Sequence, residues 1–284
     1  MKKNYFYILI SLIFVLSATN IMAQEEEEDR PVRRPFESTM LVENQTIMSP
    51  WKGELQMIIH HRFGTVENGL SDLYGIYAPS NIRLGLQYGI TDDLMIGFGT
   101  EKNNKIQELY GKYAVLKQTM SGKVPVSVSV LGNVSIDARN EDVFGEEYES
   151  MDRLSYFAQI LIARKFNDNL SLLLAPSYSH FNAVDSTWQH DRIGLMAGGR
   201  MKITDTMSAL FEYHQPFKIN PLRDYHNDSE PGIALGIEIG TSTHAFQVFA
   251  TNYGQIISQK NYVMNKNEFE EEGIMLGFNI TVRL

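Results

Sequence analysis

Asn81-Ile82-Arg83-Leu84-Gly85-Leu86-Gln87-Tyr88-Gly89-Ile90 alternates residue by residue. Ile82, Leu84, Leu86, Tyr88 and Ile90 fall on one face, and Arg83, Gly85, Gln87 and Gly89 on the other. A period of two is that of a β-strand, because a helix would bring apolar positions round every three or four residues. The same alternation sets Val126, Val128, Val130, Val134 and Ile136 against Ser127, Ser129, Asn133, Ser135 and Asp137. It sets Ile193, Leu195, Ala197 and Met201 against Arg192, Gly194, Arg200 and Lys202, and Ile233, Leu235, Ile237 and Ile239 against Ala234, Gly236 and Glu238. It closes the chain with Leu276, Phe278, Ile280, Val282 and Leu284 opposite Gly277, Asn279, Thr281 and Arg283.

Working outward from these runs gives twelve candidate strands, near 54–64, 80–90, 93–100, 108–118, 124–137, 152–165, 169–181, 191–203, 206–216, 231–240, 243–252 and 273–284. Most approach the roughly 9–11 residues a tilted strand needs to cross a hydrocarbon layer. The connections alternate between short and long. Three short ones share a pattern: Thr91-Asp92-Asp93, Asn167-Asp168-Asn169 and Thr204-Asp205-Thr206. Asx and Thr side chains bond their own backbone and favour tight reversals. Long connections cover 65–79, 138–151, 182–190, 217–230 and 253–272. The fold class is therefore all-β: a closed antiparallel transmembrane barrel of about 12 strands, with short periplasmic turns and long extracellular loops. Closure is a physical requirement in lipid, where an open edge leaves a row of unpaired backbone groups. A water-soluble barrel would invert the pattern, and lumen-facing charge together with an export signal favours the membrane version.

That signal occupies residues 1–23: Lys2 and Lys3, an apolar stretch from Tyr5 to Ala18, and a cleavage site at Ile21-Met22-Ala23. Residues 24–51 read as an acidic, Pro-containing linker that begins with Glu25-Glu26-Glu27-Glu28-Asp29, and residues 52–284 as the outer-membrane barrel. An even strand number puts the linker on the periplasmic side with the C-terminus. The 284-residue chain has no cysteine, which excludes disulfides, thiolate metal sites and a lipid-modified cysteine. Without the signal the chain has 23 basic and 34 acidic residues, a net −11, which argues against a nucleic-acid partner. The partners expected are outer-membrane lipid, the barrel assembly machinery and small solutes.

On the presumed inner face sit Arg62, Arg83, Lys112, Lys165, Arg192, Arg200, Lys202 and Arg283, against Asp137, Glu212 and Glu238. Acid gathers instead in the tail and in an outer loop at Glu141, Asp142, Glu146, Glu147 and Glu149. Arg62, Arg83, Lys112, Arg192, Arg200, Glu212 and Glu238 are the candidate lumen and anion-binding residues. Either they line an anion-favouring channel or binding barrel, or they pair across a closed lumen in a structural or partner-binding barrel. His60, His61, His180, His190, His214 and His226 fall near outer strand ends or loops, with Asp185, Asp191, Asp224 and Asp228 nearby. Their irregular spacing reads better as scattered interface histidines than as a metal-binding or pH-sensitive mouth, so no metal and no cofactor is expected. Ser179-His180 point to opposite faces and no hydrolase or phosphate-loop motif occurs, so an outer-membrane hydrolase is the lesser reading. Leu70, Leu73, Tyr74, Ile76 and Tyr77 make the loop 65–79 apolar, suiting either a constriction folded inward or packing across the rim.

His61-Arg62-Phe63-Gly64, Asn81-Ile82-Arg83-Leu84-Gly85 and Tyr88-Gly89-Ile90-Thr91-Asp92 resemble a family of uncharacterised bacterial outer-membrane β-barrels, known only as a domain of unknown function. Lys112-Tyr113 through Gln118, Thr251-Asn252 and Gly277-Phe278-Asn279-Ile280 extend the resemblance over nearly the whole mature chain. It implies an outer-membrane barrel and brings no activity or catalytic residues. The terminal Leu284 departs from the aromatic residue that commonly ends such barrels.

Overall fold

A computed structural model describes residues 29–219, 227–269 and 273–284. The signal reading of 1–23, and His226 and Asp224, lie outside the described residues. Twelve strands follow in chain order: β1 Leu55–Thr65, β2 Asn81–Gly89, β3 Leu94–Glu101, β4 Ile106–Leu116, β5 Ser127–Asp137, β6 Leu154–Lys165, β7 Leu170–Phe181, β8 Asp191–Lys202, β9 Met207–Lys218, β10 Gly232–Gly240, β11 His244–Thr251 and β12 Met275–Arg283. Each pairs antiparallel with its sequence neighbours, and β1 closes on β12 with His60 opposite Asn279. One short helix, α1 Ser258–Met264, lies in the last long connection.

The tight turns form as their side chains dictate. Thr91 Oγ1 accepts from the Asp93 and Leu94 N–H groups, Asn167 Oδ1 from those of Asn169 and Leu170, and Thr204 Oγ1 from those of Thr206 and Met207. These turns mark one end of the barrel, the turn end. The long connections mark the other, the loop end.

The wall is apolar outside. Leu84, Leu86, Ile96, Phe98, Leu109, Val130, Ile160, Ile193, Leu235 and Val248 are all exposed, while Gln87, Lys112, Ser129, Gln159, Glu212 and Asn279 are buried inside. A soluble barrel would reverse this, since so broad an apolar surface is stable only against lipid. Even-numbered residues of β1 and β4 face inward, so Glu108 joins Arg62 and Lys112 inside.

The inner face is not polar throughout. Leu161, Ala163, Leu173, Ala175, Met196 and Leu210 form an apolar patch on β6 to β9, and Phe36, Leu41 and Val42 pack on it from within. These three residues belong to the segment 24–51, which reads from sequence as an acidic, Pro-containing linker. From Phe36 to Thr46 the chain is inserted in the lumen and largely buried, because its apolar residues have a matching patch to cover. The loop 65–79 does not make the constriction. Leu70 is 77% and Tyr77 78% exposed at the loop end.

Candidate functional site

Two inserts meet inside the barrel. The first is a hairpin from the turn end. Met40 pairs antiparallel with Gln45, the Leu41 N–H donates to the Asn44 carbonyl at 2.8 Å, and that of Thr46 to the Thr39 carbonyl at 2.8 Å. Its tip, Val42-Glu43-Asn44, points deep into the lumen. Asp29, Pro31 and Val32 fix the approach against the β4–β5 turn, where Val32 N–H donates to the Gln118 carbonyl at 2.8 Å. The Ser121 hydroxyl beside Asp29 holds that carboxyl below its ordinary range.

The wall grips this hairpin through charge. Glu212 Oε2 accepts the successive backbone N–H groups of Val42, Glu43 and Asn44 at 3.1, 3.1 and 3.3 Å, and its Oε1 accepts the Asn44 amide at 2.6 Å. Successive N–H groups converging on one carboxylate form an anion-binding nest. From β1, four strands round the barrel, Arg62 pairs with Glu43 through Nε at 2.8 Å and through Nη2, while its guanidinium stacks 4.3 Å over Phe249. Lys112 Nζ donates to Gln45 Oε1 and to the carbonyls of Thr46 and Met48 at 2.9, 2.7 and 2.5 Å. Near the turn end, Arg283 holds Glu37, and the Ser38 and Thr281 hydroxyls lie 2.8 Å apart.

The second insert is the connection 253–265, which carries α1 inward from the loop end. Tyr262 O–H donates to Asn44 Oδ1 at 2.6 Å, where the Gln159 amide also donates at 2.9 Å. The Tyr262 ring lies against His214, centroids 3.6 Å apart, and against Phe157 at 5.4 Å. Gln259 donates to the Ser135 hydroxyl at 2.6 Å. The inserts touch at Asn44 and at Glu43, whose carbonyl accepts from the Ser258 hydroxyl and whose carboxylate accepts from the Asn261 amide, each at 3.5 Å.

Cavities flank the inserts. At the loop end a vestibule of about 950 Å³ is lined by Asn103, Asp137, Arg139, Phe144, Arg153, Lys260 and Asn267 among others. At the turn end a smaller cavity of about 270 Å³ is lined by Arg34, Glu37, Trp51, Glu54 and Arg283.

All seven candidate lumen residues face the interior, and the structure divides them by task. Arg62, Lys112 and Glu212 hold the hairpin. Arg83 pairs with Glu108 within the wall, across Gly99, where a Cβ would sit 2.5 Å from the guanidinium. Arg200 pairs with Glu238 at 3.0 Å, and Glu238 reaches the hairpin through Gln247, which donates to the Met40 carbonyl at 3.0 Å. Arg192 pairs with Asp228 at 2.6 Å at the loop end. Lys165 and Lys202 lie at the turn-end rim on Asp168 and Asp205.

The inner excess of base is smaller than the sequence reading expects. Glu101 and Glu108 also face inward, and the hairpin brings Glu37 and Glu43. Sequence reasoning missed the hairpin and its Glu43, although Phe36, Met40, Leu41 and Val42 in a supposed linker were the signal.

The histidines separate. His60 and His214 are buried in the lumen, with neither ring nitrogen hydrogen-bonded among the described residues. His61 is stacked on Phe278 at 4.9 Å, and His180 meets Asp191 at 2.7 Å. Among the described residues no three His, Asp or Glu side chains gather as metal ligands. Ser179 is buried while its neighbour His180 lies on the other face of β7.

Residues 36–284 match a family described as a membrane bound beta barrel domain (DUF5777). No curated protein matches the chain. Among solved structures, the COG4313 outer membrane channel from Pseudomonas putida F1 is similar with a TM-score of 0.54 at 10% identity, over 84% of this chain and 98% of that one. A KdgM porin in complex with disordered oligogalacturonate gives a TM-score of 0.50 at 8% identity, over 80% of this chain and 98% of that one. At such identity the likeness carries the fold alone.

Proposed function

The chain belongs to the family of membrane bound β-barrel domains, a domain of unknown function, and we propose that this outer-membrane barrel is a gated channel for small solutes, held shut by its own N-terminal hairpin. The observation that carries the reading is the Glu212 nest, which holds the hairpin tip inside the lumen through three backbone N–H groups and the Asn44 amide. The Arg62–Glu43 pair and the packing of Val42 on the inner patch add to that hold.

The seam around the hairpin supports release. His60, Gln56 and Gln87 on one side, and His214, Ser179 and Ser208 on the other, carry buried polar atoms with no protein partner among the described residues. Polar surfaces of this kind hydrate readily when the hairpin withdraws, whereas the apolar patch on β6 to β9 is uncovered, a cost that favours the seated hairpin at rest. The two similar barrels, named as a channel and a porin, fit a non-catalytic transport role.

Withdrawal also changes the lumen's charge. Arg62, Lys112 and Arg283 lose their hairpin partners and Glu212 alone is uncovered in return, while Arg83–Glu108 and Arg200–Glu238 stay paired. The open state therefore favours anions, since charges lining a narrow passage act on ions with little screening. The competing reading, a permanently closed structural barrel, draws on the pairing of these inner charges. Deletion of residues 36–48 separates the two in planar bilayers. A gated channel gives a silent full-length protein and a conducting, anion-preferring deletion variant. A folded deletion variant that stays silent contradicts gating.

A further inference from the structure

The vestibule above the inserts contains a cation that the latch does not use. Lys260 of α1 lines the cavity and is only 7% exposed, yet its ammonium makes no hydrogen bond or ion pair among the described residues. The other cations nearby are engaged. Arg62 is on Glu43, and Arg139 grips both oxygens of Asp137 through Nε at 2.9 and 3.1 Å. Arg153 binds the Tyr148 hydroxyl and the carbonyls of Asp137 and Arg139, and Lys266 sits 5.1 Å over the Trp188 ring.

The carboxylates facing the cavity are mostly engaged as well. Asp137 is taken by Arg139, Asp152 accepts the Glu149 N–H at 2.8 Å, and Asp185 accepts the Thr187 N–H and hydroxyl at 2.9 and 2.6 Å. Asp142 stands exposed on the wall. Among the described residues no carboxylate touches the ammonium. Burial pushes Lys260 down to about 8, which leaves it charged at neutral pH, and Asp137 and Glu101 act on it only through space, opposed by Arg139. Asn103, Asn267 and Phe144 line the same space. Its volume of about 950 Å³ is that of a small-molecule site.

We propose that Lys260 anchors a vestibule site for small solutes bearing a carboxylate, with Asn103 and Asn267 hydrogen-bonding the neutral remainder. The site deepens the channel reading by naming the solute class that collects at the outer mouth, but binding there requires no conduction. Calorimetry on the purified full-length protein in detergent micelles tests it with D-glucuronate against D-glucose, which share a ring and differ in the carboxylate. The expected result is glucuronate binding about tenfold or more tighter than glucose, the advantage of one charge-assisted hydrogen bond. That advantage disappears in Lys260→Gln and is partly retained in Lys260→Arg. Equal binding of the two sugars, absence of glucuronate binding, or an advantage that survives Lys260→Gln overturns the proposal. The wild-type comparison stands even where a variant fails to fold. Glucuronate binding to a barrel that never conducts keeps this site and loses the channel. A conducting deletion variant without carboxylate preference keeps the channel and loses this site.

Discussion

The hairpin from the turn end and the helix from the loop end reach the same asparagine, but opposite chemistry holds them. Charge grips the hairpin: Glu212 beneath three backbone N–H groups, Arg62 on Glu43, and Lys112 on two carbonyls and an amide. Neutral groups hold α1: Gln259 on Ser135, Tyr262 on Asn44, and ring contacts to His214 and Phe157. A buried charged contact gains little when complete and costs about 3–5 kcal/mol when one partner is removed. A neutral hydrogen bond contributes about 0.5–1.5 kcal/mol and is readily exchanged for water. The hairpin is therefore an all-or-none element, seated or withdrawn. The helix is a cover that loosens gradually.

The largest effect that would sharpen this contrast belongs to Glu212→Ala. It orphans three backbone donors at a cost of about 1–3 kcal/mol each if they stay buried, so the hairpin leaves. Planar-bilayer recording should show conductance that the wild type lacks, and protease added from the turn-end side should cut between 36 and 48. Tyr262→Phe ranks next and should be mild. It removes one hydroxyl from Asn44 and leaves the Glu212 nest whole, so thermal unfolding shifts by about 0.5–1.5 kcal/mol and the barrel stays silent. Conductance from Tyr262→Phe as large as that from Glu212→Ala would break the contrast.

The smallest effect is a pH dependence at the helix. Burial lowers Lys260 from its ordinary value of 10.5 to about 8, so the seated helix carries the cost of a buried ammonium below about 8. As pH rises from about 8 toward 10.5 the unfolded chain keeps the proton that the folded one has lost. Helix docking should therefore strengthen through that window, while carboxylate binding in the vestibule weakens as the ammonium disappears. Thermal unfolding and calorimetry across pH 7–10 should move in opposite directions. Movement in the same direction would separate Lys260 from the site.

The barrel was legible because each strand states its own face. Ile82, Leu84 and Leu86 against Arg83, Gly85 and Gln87 need no knowledge of the rest of the chain, and Thr91, Asn167 and Thr204 mark turns by contacts within three residues. The inner arginines were legible for the same reason. Their partners were not, because Arg62–Glu43 and Glu212–Val42 join segments 19 and 170 residues apart whose register only the closed fold sets. One clue was present. β6 to β9 carry Leu161, Leu173, Met196 and Leu210 on the face that should have been polar, and an apolar patch inside a barrel requires something to cover it. Lys260 gave no such clue, since a lysine in a polar loop reads as solvated until the fold buries it.

Because the chain has no cysteine, a single engineered pair can hold or free the hairpin. The Ser38 and Thr281 hydroxyls are 2.8 Å apart across the hairpin–wall seam, so Ser38→Cys with Thr281→Cys places two thiols within bridging reach. Introduced together with Glu212→Ala and recorded in planar bilayers, the oxidised protein should be silent. Reductant added to the same bilayer should bring up the anion-preferring conductance of the unlatched barrel. Conductance that is the same before and after reduction, with the bridge confirmed by mass, would contradict the hairpin as the gate.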